Sequence, residues 1–202
     1  MAKVLGLPHL DFSILWVLYI LVGSAAGYAF FNRLSWGLVF ASLLGIFCLS
    51  MVQHCLHVLC GTSTSMKVKD FAIDLRKAAV LFTIGSVLCG SYIVYYRFFA
   101  LFGIIAGFLL VMGYAKLHKE AMWSIGWGAG TITAAYIASD GMTWGLALLL
   151  MGFGLASGIA IYSYRALTGD YDHADRLRIL YRGVVFTLCL GLIIMAVGLF
   201  LV

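Results

Sequence analysis

Charge is what this chain has least of. Only 10% of its 202 residues are Asp, Glu, Lys or Arg, against about 25% in an ordinary soluble domain. That deficit excludes a water-exposed globule of normal composition. A single proline and no long polar tract leave little room for a separate soluble domain. The five cysteines, Cys48, Cys55, Cys60, Cys89 and Cys189, are odd in number and lack framework spacing. They read as small packing residues rather than a disulfide scaffold. There is no Gly-x-x-x-x-Gly-Lys loop, no His-Glu-x-x-His and no paired Cys-x-x-Cys. The last apolar run holds no lysine for a retinal Schiff base. No nucleic-acid partner is expected.

What is present is hydrocarbon: 64% of residues are hydrophobic and the mean hydropathy is +1.07. A bilayer crossing needs about 20 apolar residues. Seven spans are therefore expected, at 13–31, 36–60, 78–96, 98–115, 121–138, 143–164 and 183–202, forming one membrane domain over 1–202. Arg97 alone divides the third run from the fourth, and Ser139-Asp140-Gly141 is a turn signal between the fifth and sixth. Lys3, an apolar run and Gly23-Ser24-Ala25-Ala26 mimic a signal peptide, but the run is longer than a signal core and reads as a retained helix.

Seven spans place the N-terminus and the loops 61–77, 116–120 and 165–182 on one side. Eleven basic residues fall there, and only Arg33 and Arg97 on the other. The bias predicts a cytoplasmic N-terminus, cytoplasmic charged loops and an external C-terminus. Four Gly-x-x-x-Gly pairs within the spans, Gly23/Gly27, Gly103/Gly107, Gly126/Gly130 and Gly154/Gly158, read as close helix packing within the chain.

The polar residues gather on the cytoplasmic side. Tyr164–Arg182 holds Asp170, Asp172 and Asp175 beside Arg176. Such carboxylates can hold Mg²⁺ against a diphosphate while basic groups grip the remaining oxygens; a plain solvated loop that sets orientation is the other reading. Asp70 and Asp74 sit among Lys67, Lys69, Arg76 and Lys77. If Val68–Leu75 is a short amphipathic helix on the membrane surface, their spacing puts both on one face. Gln53, His54 and His57 lie toward the end of the second span, where polar groups within a span are candidates for a pocket or for interhelical hydrogen bonds. A haem would need a second histidine at matching depth, and His118 sits at a loop edge, so haem is not expected. Lys119 closes the fourth span, as a phosphate partner or a snorkelling anchor.

The order of these segments resembles the UbiA-type intramembrane prenyltransferase superfamily. Two spans, a charged cytoplasmic loop, four spans and a second aspartate-bearing loop follow one another over roughly 10–200. Tyr114–Lys119 leading to Trp123–Gly130 looks like that family's tyrosine–lysine segment, and Asp170-Tyr-Asp-His-Ala-Asp175-Arg176 looks like its second aspartate motif. The first-motif place is held by Gln53-His54 and His57–Cys60, without a carboxylate. The resemblance implies an all-α, seven-transmembrane-helix integral membrane bundle, shortened and UbiA-like. It implies Mg²⁺-dependent transfer of a prenyl group from a prenyl diphosphate to an aromatic or lipid acceptor. Asp170, Asp172 and Asp175 would then hold metal, Asp70 or Asp74 would supply the first cluster, and Lys119 and Arg176 would bind diphosphate. The rival expectation is a non-catalytic subunit of a larger membrane complex that binds lipid, quinone or pigment.

Overall fold

A computed structural model describes residues 10–61, 68, 71, 73–117, 120–168, 190–191, 193–195, 197–198 and 201. Six helices run through them: α1 Leu10–Phe31, α2 Trp36–Leu59, α3 Leu75–Tyr96, α4 Ala100–Leu117, α5 Glu120–Ser139 and α6 Trp144–Thr168. They coincide with the first six apolar runs. Of the last run, residues 190–191, 193–195 and 197–198 are helical as well and Leu201 lies in a turn, and no strand occurs among the described residues. Among the described residues, three stretches, Ser13–Phe31, Trp36–Leu59 and Leu75–Tyr96, are long and apolar enough to cross a membrane.

Local chemistry sets the ends. Asp74, with extended backbone, caps α3: its Oδ1 accepts from the Arg76 N–H at 3.0 Å and the Lys77 N–H at 3.3 Å. Helix α3 therefore starts three residues earlier than the apolar run suggested, because a capped helix carries Arg76 and Lys77 in its first turn. Part of the short amphipathic helix expected over Val68–Leu75 lies outside the described residues; of those described, Val68 sits in a single 3-10 turn, its carbonyl accepting from the Phe71 N–H at 3.3 Å. Phe71, Ile73 and Asp74 are non-helical, and Phe71 and Ile73 pack inward against Cys55, Val58, Leu75 and Ala79. At the other end of the helices, Asn32 and Asp140 take left-handed φ values of 51° and 59°, a conformation these two residue types tolerate better than most.

The three short turns converge. Ser35 N–H donates to the Ala138 carbonyl at 3.0 Å, and Arg97 Nε lies 3.3 Å from Asp140 Oδ1. These contacts gather the α1/α2, α3/α4 and α5/α6 turns at one end, so α1 to α6 alternate in direction. The opposite end carries the starts of α1, α3 and α5.

Packing follows the small residues. Helix α3 lies on α2, α1 on α5, and α5 on both α4 and α6. A side chain at Gly27 would come within 2.5 Å of the Ala135 carbonyl oxygen, and one at Gly23 would collide with Thr131. A side chain at Gly154 would strike the Gly128 backbone, and one at Gly152 would lie 2.5 Å from the Gly191 carbonyl oxygen. Thr131 Oγ1, fully buried, donates across to the Leu150 carbonyl at 3.3 Å as well as to Gly128 in its own helix at 2.9 Å. Such backbone-to-backbone approach is how apolar helices associate when hydrophobic burial distinguishes little between partner and solvent.

Candidate functional site

Contacts α3–α2, α2–α1, α1–α5 and α5–α4 make a ring of five helices. One seam of the ring is thin, because α3 and α4 touch sparsely although a tight turn joins them. At the centre lies an apolar cavity of about 100 Å³ to which all five helices contribute.

Glycine lines that cavity: Gly45, Gly90, Gly103, Gly107, Gly126 and Gly130 all face it. Two kinds of helical glycine can be separated. Gly103 would drive a side chain into Thr133, so its reason is packing. A Cβ on Gly90 or Gly107 meets nothing within 4 Å, and one on Gly130 reaches only ordinary contact at 3.8 Å. Glycine inside a helix costs about 1 kcal/mol relative to alanine, and no neighbouring helix demands it at Gly90 or Gly107. The reading of Gly103/Gly107 and Gly126/Gly130 purely as packing pairs therefore fails for Gly107 and Gly130, which keep space open. An apolar void of this size costs about 2 kcal/mol if left empty, at about 24 cal/mol per Å³, and apolar cavities hold water poorly. The site suits hydrocarbon.

An aromatic wall closes one side. Trp16 stacks on Trp127 with ring centroids 4.2 Å apart and planes 4° from parallel. Tyr19 leans on the same Trp127 at 3.8 Å, and on Phe153 at 5.5 Å. These rings pin α1, α5 and α6 together, and Trp16 among them lines the cavity.

Polar residues collect at the end away from the turns. On α2, Ser42, Gly45, Ile46 and Leu49 form a stripe along the cavity, and Gln53, four residues beyond Leu49, continues it. Gln53 is 2% exposed, and its Oε1 finds no hydrogen-bond partner among the described residues. His54 is buried beside it, and His57 half-buried one turn on. Ser13 Oγ and Ser50 Oγ lie 3.0 Å apart, and Ser13 also donates to Met51 Sδ at 3.2 Å. A buried amide one helical turn beyond the lining of an apolar cavity can orient the polar end of an otherwise hydrocarbon ligand.

Asp74 stands at the same end, exposed. Its Oδ1 is committed to the α3 cap, and its Oδ2 sits 3.9 Å from Lys77 Nζ. Among the described residues no three His, Cys, Asp or Glu side chains converge as metal ligands, so Asp74, His54 and His57 do not make a magnesium site by themselves. Asp70, Lys119, Asp170, Asp172, Asp175 and Arg176 lie outside the described residues.

Residue reasoning overlooked Gly45, Gly90 and the Trp16–Trp127 stack. An isolated glycine amid an apolar helix, outside any paired pattern, was the available signal. No protein-family model matches the chain, and comparison with curated proteins and with solved structures finds no match.

Proposed function

We propose that this chain is an integral membrane protein, UbiA-like in design, that binds a prenyl diphosphate with its hydrocarbon chain in the five-helix ring. The observation that carries the reading is the glycine-lined apolar cavity with a buried amide, Gln53, continuing its α2 wall. Insertion is supported by the outward face of α3, where Val80, Leu81, Ile84 and Leu88 are each more than half exposed, a patch that water would not tolerate. Trp36, Trp144, Tyr95 and Phe99 crowd the turn end, as aromatic residues do at a membrane interface. With the basic excess at the opposite end, the N-terminus faces the cytoplasm.

The proposed chemistry is transfer of the prenyl group to an aromatic or lipid acceptor. The bond from the prenyl C1 to the diphosphate oxygen breaks and its electron pair leaves with diphosphate. The acceptor forms the new bond to C1 and gives up a proton. Asp170, Asp172 and Asp175 would hold Mg²⁺, which supplies charge neutralisation to the leaving group; Lys119 and Arg176 would grip its oxygens. The chain's described residues would keep the allylic group away from water, since the cavity lining is mostly apolar, with Ser42, Ser86 and Thr133 its polar members.

A second reading, a non-catalytic subunit that binds a lipid, quinone or pigment, is favoured by one feature. The end of α2 offers an amide and imidazoles instead of carboxylates, and Asp74 is occupied as a helix cap. The two are separated by measuring prenyl diphosphate binding to the protein in lipid nanodiscs, with and without Mg²⁺, against an Asp170→Ala, Asp175→Ala double variant. Mg²⁺-dependent binding that the variant loses is expected for the transferase. No binding by either protein sinks the prenyl diphosphate reading.

A further inference from the structure

We propose that the start of α3 binds an anionic glycerophospholipid of the cytoplasmic leaflet, its phosphate against Arg76 and Lys77 and an acyl chain along Val80, Leu81 and Ile84. The proposal rests on insertion of the chain with the start of α3 at the cytoplasmic end, and not on prenyl diphosphate binding.

These five side chains wall one open groove of about 350 Å³ on the outer side of α3. Its two parts differ in kind. Arg76 and Lys77 stand in the first turn of the helix, both exposed. Val80, Leu81 and Ile84 follow at helical spacing, each more than half exposed. Val87 and Leu88, equally exposed, carry the apolar stripe a turn further. From Arg76 to Leu88 the stripe descends about 18 Å at 1.5 Å per residue. That is close to the depth of one leaflet in a hydrocarbon core about 30 Å thick.

The positive charge is available to a ligand. Among the described residues, the one carboxylate in contact with either cation is Asp74, whose Oδ2 lies 3.9 Å from Lys77 Nζ while the lysine side chain stays 87% exposed. A contact that long and that wet neutralises little. Two cations and one carboxylate leave a net positive charge at a helix start, where the dipole also favours an anion. Because Asp74 Oδ1 already takes the Arg76 and Lys77 N–H groups, the side chains rather than the backbone must hold the phosphate. Guanidinium and ammonium do so through charge-assisted hydrogen bonds.

The groove also chooses its occupant. A free phosphate would use the cations and leave the apolar stripe uncovered. A second copy inserted in the same orientation and docked along this stripe would set its own Arg76 and Lys77 against these. It would also meet bulky Val, Leu and Ile side chains where close helix pairs in lipid use small ones. A phospholipid supplies the anion and then the hydrocarbon, in that order from the surface inward.

The test is photo-cross-linking of the full chain in bilayers of equal phosphatidylglycerol and phosphatidylcholine, with a diazirine on the acyl chain of one lipid or the other. Mass spectrometry maps the labelled residues. Each cation at the surface favours an anionic lipid about fivefold, and Asp74 offsets one of the two. Labelling of residues 80–88 is therefore expected to be about fivefold stronger from phosphatidylglycerol. Replacing both cations, Arg76→Gln with Lys77→Gln, should abolish that preference. Asp74→Ser, which keeps the helix cap, should raise it severalfold. Phe102 and Leu109, exposed on α4, are the reference, labelled without preference in every variant. Equal labelling of the stripe by both lipids in wild type overturns the site. So does a preference that survives the double variant, or the same preference at Phe102 and Leu109. A stripe that neither lipid labels while Phe102 and Leu109 are labelled puts a protein on this face, a second copy included, and also overturns it. All these outcomes leave membrane insertion and the prenyl diphosphate reading standing. Absence of acyl-chain labelling at every position removes insertion and this site together.

Discussion

Arg97 and Asp140 meet across two turns, Nε to Oδ1 at 3.3 Å, and so tie the α3/α4 connection to the α5/α6 connection. The arginine is about one-fifth exposed and the aspartate about half, so solvent screens the pair, and it contributes on the order of 0.5 kcal/mol. Asp140 also holds a left-handed backbone at φ 59°.

Those two roles make the substitutions at Asp140 unequal. Asp140→Ala loses the ion pair and places a Cβ-bearing residue with no side-chain hydrogen bonding at positive φ, a conformation costing about 1 kcal/mol. Asp140→Gly loses the pair but relaxes the backbone. Thermal unfolding in detergent should rank wild type above Gly and Gly above Ala. Equal melting of the two variants would show that backbone strain plays no part.

Glycines of the two kinds should respond oppositely to a methyl group. At Gly27 a Cβ would lie 2.5 Å from the Ala135 carbonyl oxygen, so Gly27→Ala should destabilise by about 1–3 kcal/mol through overpacking. At Gly107 a Cβ meets open space, and Gly107→Ala should stabilise by about 0.5–1 kcal/mol. Denaturation in mixed micelles measures both; a destabilised Gly107→Ala would contradict the open cavity.

Asp74 separates capping from metal binding. Asp74→Ser should retain α3 stability, since a serine hydroxyl also caps, whereas Asp74→Ala should lose about 1 kcal/mol. Unfolding midpoints of the two variants decide it. If Ser and Ala are equally harmful, the carboxylate has a role beyond the cap, and Mg²⁺ titration of Asp74→Ser is the next measurement.

The tryptophans report insertion. Trp144 is 85% exposed at the turn end, and Trp127 is fully buried. In single-tryptophan variants reconstituted in bilayers, a quencher attached near the lipid headgroup should quench Trp144 strongly and Trp127 weakly. Quenching of Trp144 by aqueous acrylamide with no effect from lipid quenchers would place the turn end in water and overturn the proposed insertion.

Helix positions were legible along the chain because apolar runs are separated by its few charges and turn residues: Arg97 between α3 and α4, Ser139-Asp140-Gly141 between α5 and α6. Errors fell at the boundaries. Helix α3 begins at Leu75 rather than 78, since Asp74 caps it, and α4 begins at Ala100 rather than 98, since Phe98 and Phe99 form the turn. The polar end of the candidate site, Gln53, His54 and His57, was legible because such residues are conspicuous in an apolar helix. Its apolar part was not.

Composition and periodicity alone determined that this chain is an assembly of apolar helices with its charge gathered into a few loops, because backbone hydrogen bonding and a scarcity of charge leave such a chain little else to do. Which helix lies against which was decided only in three dimensions. Gly27 and Gly107 sit in identical Gly-x-x-x-Gly patterns, yet one faces the α5 backbone and the other faces open space. A glycine's purpose depends on what stands opposite it, and that is decided by α1 meeting α5, far along the chain, and by α3 parting from α4 although a tight turn joins them, relationships that no local pattern encodes.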